Sequence, residues 1–289
     1  MGSVTNFSRK QRGSGESTTG NSCVLHNTWY KSLISLDLLA VTVSWAGIAK
    51  PEFLHRLWPA AVLVLAFTIL ARLLRAVDIS GALGGALLSF VLYITAGPGA
   101  FAGVVTVFVL AWIATRIGYS RKQLLGTAEK RSGRTVSQIV ANLAVAALCG
   151  AASSLSNWDS SLLLATVAAL AEAAADTVSS ELGQASTEHP YLITTWDPVP
   201  AGTDGGVSLA GTLAGTFAAF LVALVCAVTG VITYRGILFA TFAAVLGMFA
   251  DSYLGAWLER RNRIGNDTVN FLSTLTAAVL AILFMRFVK

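Results

Sequence analysis

Apolar runs of roughly 18 to 20 residues follow one another along almost the whole chain, each long enough to cross a hydrocarbon layer of about 30 Å as a helix. In lipid every backbone polar group must be satisfied inside the spanning structure, which leaves helices or closed barrels. The runs do not alternate apolar and polar residues, so a membrane β-barrel is excluded. Only 12% of the 289 residues are charged and 55% are hydrophobic, where a soluble domain carries about 25% charge. The expected fold is all-α, a polytopic transmembrane helical bundle of eight or nine spans.

Nine runs qualify: 33–49, 57–75, 79–96, 100–117, 137–156, 160–183, 205–230, 236–258 and 269–287. The first is the weakest, because Asp37 interrupts it. Residues 1–30 are rich in Ser, Thr, Gly and Asn and read as a disordered polar tail. With no early apolar segment, no signal peptide is expected. Residues 31–289 form a single transmembrane domain in this reading. Short turns at Gly97-Pro98-Gly99 and Asn157-Trp158-Asp159 make the helices they join antiparallel neighbours.

The net charge of +5 reports topology and not nucleic acid, for which no binding module is present. With a cytoplasmic N-terminus and nine spans, fifteen Lys and Arg fall inside and five outside, as the positive-inside rule requires. A bacterial inner membrane is the expected location. The connections 118–136, 184–204 and 259–268 then share the cytoplasmic side. Cys23, Cys149 and Cys226 are widely spaced, and His26, His55 and His189 lack metal-ligand spacing, so neither a disulfide framework nor a zinc site is expected.

The chemistry concentrates in Glu172–Gly215. Carboxylates in an apolar helix are costly and mark function. Glu172, Asp176, Ser179 or Ser180, and Gly183 step by three and four along one helical stripe, with Glu181 turned away. Asp251, Gly255 and Glu259 form a comparable side of the eighth run. Ala175-Asp176-Thr177 and Ala250-Asp251-Ser252 repeat one triplet, and two such acids can converge on one Mg²⁺ completed by phosphates and water. The same acids could instead relay ions or only fix helix packing.

In the following loop, Thr203 or Asp204 is expected to cap a helix opened by Gly205 and Gly206, whose free N–H groups suit a phosphate, with Ser208 beside them. No Lys follows these glycines, so this is not a Walker motif. Gly211 and Gly215 form a small face for close helix packing. Lys130, Arg131 and Arg134 precede the fifth run, and Arg134 leads into Ser137, Gln138 and Asn142. Before the last run, Asn266, Asp267 and Asn270 are further polar candidates, Asp267 as an N-cap.

DTVSSELG, YLITTWDPVPAGTDGGVSLAGTLAG, ADSYLGAWLE and NDTVNF, in order over about residues 130–275, resemble the integral membrane family that includes plant phytyl-phosphate kinase, animal transmembrane protein 19 and many bacterial and archaeal proteins. The resemblance implies phosphoryl transfer from a nucleoside triphosphate, with CTP as donor and Mg²⁺ as cofactor, to an isoprenoid lipid monophosphate such as phytyl phosphate. On that reading Asp176 and Asp251 hold the metal and Glu181 stands behind them as a third catalytic acid. Arg134, Ser180 and Thr203–Ser208 cradle the phosphates, and Asn142, Asn266 and Asp267 meet substrate. The family is also similar to the CTP-dependent phytol and dolichol kinases and to phosphatidate cytidylyltransferases. A loop Lys of the phytol and dolichol kinases has no counterpart between Thr194 and Gly215, which leaves Arg134 as the substitute cation. A transporter of an anionic solute and a cytidylyltransferase forming a CDP-lipid are the alternatives.

Overall fold

A computed structural model describes residues 51–156, 159–186 and 189–288. The tail 1–30 and the run 33–49 lie outside the described residues. In chain order the helices are α1 (Pro51–Leu73), α2 (Ile79–Ala96), α3 (Pro98–Arg116), the short α4 (Tyr119–Leu125), α5 (Val136–Leu155) and α6 (Asp159–Ala185). After two-residue strands β1 (Tyr191–Leu192) and β2 (Gly206–Val207) come α7 (Leu209–Val228), α8 (Tyr234–Leu254) and α9 (Asn266–Val288). All but α4 are long and apolar enough to cross a membrane, giving eight spans among the described residues. The fold is the expected all-α bundle, its span ends shifted by a few residues.

The bundle is wrapped around α6. Every residue from Leu164 to Ala175 is at most 2% exposed, because α3, α5, α7, α8 and α9 all pack against this helix. Alanine dominates this stretch, and small side chains let helices approach closely where lipid supplies no hydrophobic drive for association. Gly211 and Gly215 extend the same logic on α7: a Cβ on either would come 2.6 Å from a carbonyl oxygen of α6, at Ser179 and Ala175 respectively.

Local signals set the helix ends. Asp78 caps α2, accepting hydrogen bonds from the Gly81 N–H and the Ser80 hydroxyl, both at 2.7 Å. Those bonds, the Gly81 one foremost, hold its carboxyl below the usual aspartate value. Thr135 and Gln138 form a reciprocal capping box on α5. Gly97, at φ +89, makes the tight turn between α2 and α3, with Pro98 at the first helical position.

One expected boundary is corrected. Gly205 and Gly206 do not open α7, and neither Thr203 nor Asp204 caps it. The helix begins at Leu209, and the Ser208 hydroxyl accepts from the Gly211 N–H. Gly206-Val207 is drawn into β2, antiparallel to Tyr191-Leu192, while Ile193 N–H donates to the Gly205 carbonyl. The backbone groups that a helix start would have left free are used by this small hairpin.

Alternation of the spans brings residues 74–78, 117–135, 189–208 and 260–265 to one face of the bundle. That face also gathers Arg72, Arg75, Arg116, Arg121, Lys122, Lys130, Arg131, Arg134, Arg260, Arg261 and Arg263. Arg56, Arg235 and Arg286 belong to the opposite one. The first is called the basic face below.

Candidate functional site

Carboxylates from three helices and a loop meet just inside the basic face. Glu172 and Asp176 lie one turn apart on α6, and the Asp176 side chain interacts directly with Asp251 of α8. Glu172 adds its field to both. It reaches the α8–α9 boundary because Gly247 leaves room: a Cβ there would be 2.7 Å from Glu172 Cγ and 3.0 Å from the Ser273 carbonyl. From α9 the Ser273 hydroxyl donates to the Asn270 carbonyl at 3.0 Å and lies beside both Glu172 and Asp251. Glu172 is only 1% exposed.

Beyond Asp251 the helix widens into a π turn, Gly255–Glu259, closed by Arg260 N–H to the Gly255 carbonyl at 3.1 Å. The long loop packs closely against this turn. Gly205 sits at φ +78, where a Cβ would collide with Ala256 and come 2.7 Å from the Ser252 carbonyl. Leu192, Ile193 and Ala256 form a small core there, flanked by Val199, Val207 and Phe249. Turns of this kind recur at functional sites. Here the turn breaks the simple four-residue stripe expected for Asp251, Gly255 and Glu259. Gly255 and Ala256 back onto the loop, and the charges of Asp204, Asp176 and Asp267 act on Glu259. Six acids thus share one end of the bundle, and the Arg134 charge acts on Asp176.

The sequence-derived residues divide accordingly. Asp176, Asp251, Asp204, Asp267 and Arg134 are brought together. Gly205 and Gly206 shape the loop that carries Asp204, and Thr203 braces it by donating to the Pro200 carbonyl at 2.7 Å. Ser208 is consumed as a cap, and Ser180 is exposed on α6. Asn142 donates to the Gln138 carbonyl at 2.7 Å. Asn266 and Asp267 stand in the first turn of α9, so Asp267 is not its cap.

The largest correction concerns Glu181, expected as a third acid behind Asp176. Its Oε2 pairs with Lys122 Nζ and its Oε1 accepts from Thr115. Lys122 is fully buried and also donates to the carbonyls of Ala114 and Thr115. Five residues separate Glu181 from Asp176, which on a helix turns it toward α3 and α4 and away from Asp251. Sequence reading passed over Ser273 and gave Glu172 no place in the final set. A three-residue step from Asn270 to Ser273 inside an apolar run was the available signal for the serine.

The donor set fits a hard divalent cation. Among the described residues no three or more His, Cys, Asp or Glu close into a ready-made metal cage. Mg²⁺ needs no such cage, since it characteristically takes one or two carboxylates and completes its octahedron with water and phosphate oxygens. Glu172 Oε1, Asp251 Oδ2 and Asn270 Oδ1 are buried without a hydrogen-bond partner among the described residues. An unsatisfied buried acceptor costs about 1–3 kcal/mol, which a cation at Asp176–Asp251 would offset.

Comparison with known proteins places this geometry in context. Residues 62–278 match the family model described as "Integral membrane protein DUF92". An uncharacterized membrane protein of Synechocystis sp. is 36% identical over 199 residues, 68% of this chain and 77% of that one. One from Methanocaldococcus jannaschii is 30% identical over 241 residues, covering 80% and 95%. Protein VTE6, chloroplastic, from Arabidopsis thaliana is 31% identical over 224 residues, 75% of this chain and 67% of the relative. No solved structure matches.

Proposed function

The chain belongs to the DUF92 family of integral membrane proteins, and on that premise we propose that it is a membrane kinase. It transfers the γ-phosphoryl group of a nucleoside triphosphate, CTP by the resemblance set out above, to a prenyl monophosphate such as phytyl phosphate. The products are the prenyl diphosphate and the nucleoside diphosphate. One observation carries this reading: Asp176 and Asp251, on separate helices, lie close enough to act on each other, with the Arg134 charge also acting on Asp176, near a glycine-shaped loop docked on the π turn. That is an arrangement for gathering phosphates at a membrane surface.

Asp176 and Asp251 would hold Mg²⁺, which when bound supplies charge neutralisation to the phosphoryl oxygens. Ser273 lies beside the Asp251 carboxylate, and the like charge of Glu172 acts on it. Arg134 supplies a cation of the protein's own, suited to planar recognition of phosphate. The acceptor is already an anionic phosphate, so no strong general base is needed. Positioning and electrostatic preorganisation supply most of the rate, as elsewhere in phosphoryl transfer. The proposed location is a bacterial inner membrane, with the site opening to the cytoplasmic side as the positive-inside rule predicts.

Purified protein in detergent with Mg²⁺, γ-labelled CTP and phytyl, geranylgeranyl or farnesyl monophosphate should yield labelled prenyl diphosphate. Asp176→Asn should lower the rate about a hundredfold or more without loss of the folded state. Full activity in that variant removes Asp176 from the mechanism. No transfer from any triphosphate, in folded protein, removes the kinase. The depth of Glu172, one turn further in with a free carboxylate oxygen, favours ion-coupled transport as the second reading, which nucleotide-independent flux in proteoliposomes would reveal.

A further inference from the structure

A cavity of about 460 Å³ lies beside the acid cluster, enclosed by α1, α2, α3, α5 and α6. Its inner wall is apolar, with Phe67, Val104, Val107, Phe108, Ala86 and Leu143. Its outer end, at the basic face, is ringed by Arg75, Arg116, Lys130, Arg131 and Arg134, with one acid, Glu129, paired to Arg134 at 3.8 Å. The side chains of Arg75, Lys130 and Arg131 have no hydrogen bond or ion pair among the described residues. On α6 the lining residues are Ala173 and Thr177, each one position from Glu172 or Asp176. One helix therefore presents the cavity and the acids on adjoining faces, about 100° apart.

Charge and shape select the occupant. Basic side chains without acidic partners at the end of an apolar chamber match a ligand with an anionic head and a hydrocarbon tail. From Arg116 to Val104 on α3 the chamber runs about 18 Å. That length suits a single extended hydrocarbon chain of a few isoprene units. The volume is in the lower part of the roughly 300–1,000 Å³ typical of ligand pockets, room for one chain and too little for the two of a diacyl lipid.

We propose that this cavity is the acceptor-lipid site. It takes a single-chain isoprenoid monophosphate, tail among Phe67, Val104, Phe108 and Leu143, phosphate on Arg75, Arg116 and Arg131. Arg134 stands between that phosphate and Asp176. Naming the ligand as an acceptor rests on the kinase reading; the single-chain anionic specificity rests on the cavity alone.

The test separates the two. Equilibrium binding of tritiated geranylgeranyl monophosphate is measured on the full chain in detergent, with EDTA and no nucleotide. A Cβ on Gly85 meets only Ile139 Cγ2, at 3.8 Å, so Gly85→Leu extends a side chain into the chamber without backbone conflict. Gly85→Leu and the pair Arg75→Gln/Arg131→Gln should each weaken binding at least tenfold, with folding checked by gel filtration and thermal unfolding. Asp176→Asn should bind as wild type does. Dipalmitoyl phosphatidate should compete at least tenfold more weakly than geranylgeranyl monophosphate. Unchanged binding in both the Gly85→Leu and the double-arginine variants, equal competition by the diacyl lipid, or no binding by wild type overturns the proposal. Binding with these properties but no phosphoryl transfer would sink the kinase and leave the cavity. Transfer that persists undiminished in folded Gly85→Leu would do the reverse.

Discussion

At Lys122 the chain buries a whole positive charge, 0% exposed, and matches it with Glu181, two carbonyls of α3 and nothing else among the described residues. The pair ties α4 to α6 at the end of α3, immediately behind the acid cluster. Removing one partner leaves the other charge stranded, which costs about 3–5 kcal/mol for a buried pair. Lys122→Met should therefore lower thermal stability in detergent sharply, and Lys122→Met/Glu181→Leu should recover most of the loss. Glu181→Gln should change stability more than turnover, because its carboxylate is committed to Lys122 and Thr115. An equally stable Lys122→Met protein would show that the pair carries no structural weight. The sequence displays Lys122 as one more basic residue in a polar connection. Nothing in its spacing says that it folds inward.

The elements that shape the site are the long loop and the widened turn of α8, joined at Gly205. An alanine there would have to adopt the left-handed region, costing about 1–2 kcal/mol, and would also strike Ala256. Gly205→Ala should lift the loop off α8 and raise the KM for nucleotide about tenfold, equivalent to about 1.4 kcal/mol. Ser208→Ala should cost about 1 kcal/mol of stability through the lost cap and leave KM within about twofold. Equal KM values in the two variants would separate the docked loop from nucleotide binding. Much of this was legible. The Gly-Gly pair and the Ala-Asp-hydroxyl triplets marked the segments that converge. The π turn was not, because it arises where the Gly205 backbone packs against Gly255 and Ala256, a contact between residues fifty positions apart.

At the scale of the whole molecule, the alternation of spans puts the described connections that carry Asp78, Glu129, Arg134, Asp197 and Asp204 on one face, the basic one. The positive-inside rule predicts that this face is cytoplasmic. Cysteines introduced as Ser132→Cys on that face and Arg235→Cys on the other, in a background with Cys23, Cys149 and Cys226 replaced, give the check. A membrane-impermeant maleimide applied to intact cells should label the Arg235→Cys protein and spare Ser132→Cys, and inverted vesicles should reverse the pattern. The opposite labelling would place the site outside, beyond the reach of intracellular nucleotide.

By itself the sequence determined that this chain lives in a membrane as a helical bundle, because unbroken apolar runs admit no other backbone solution in lipid. It also determined which face gathers the cations and which helices carry the costly acids, since periodicity and charge are properties of neighbours along the chain. Only the tertiary structure decided which acids meet. Asp176 and Asp251 are 75 positions apart, and Glu181, five from Asp176, is taken by Lys122 instead. Only the way α1, α2, α3, α5 and α6 come together leaves a chamber beside those acids. Such contacts depend on how helices pack across the bundle, and no local pattern encodes them.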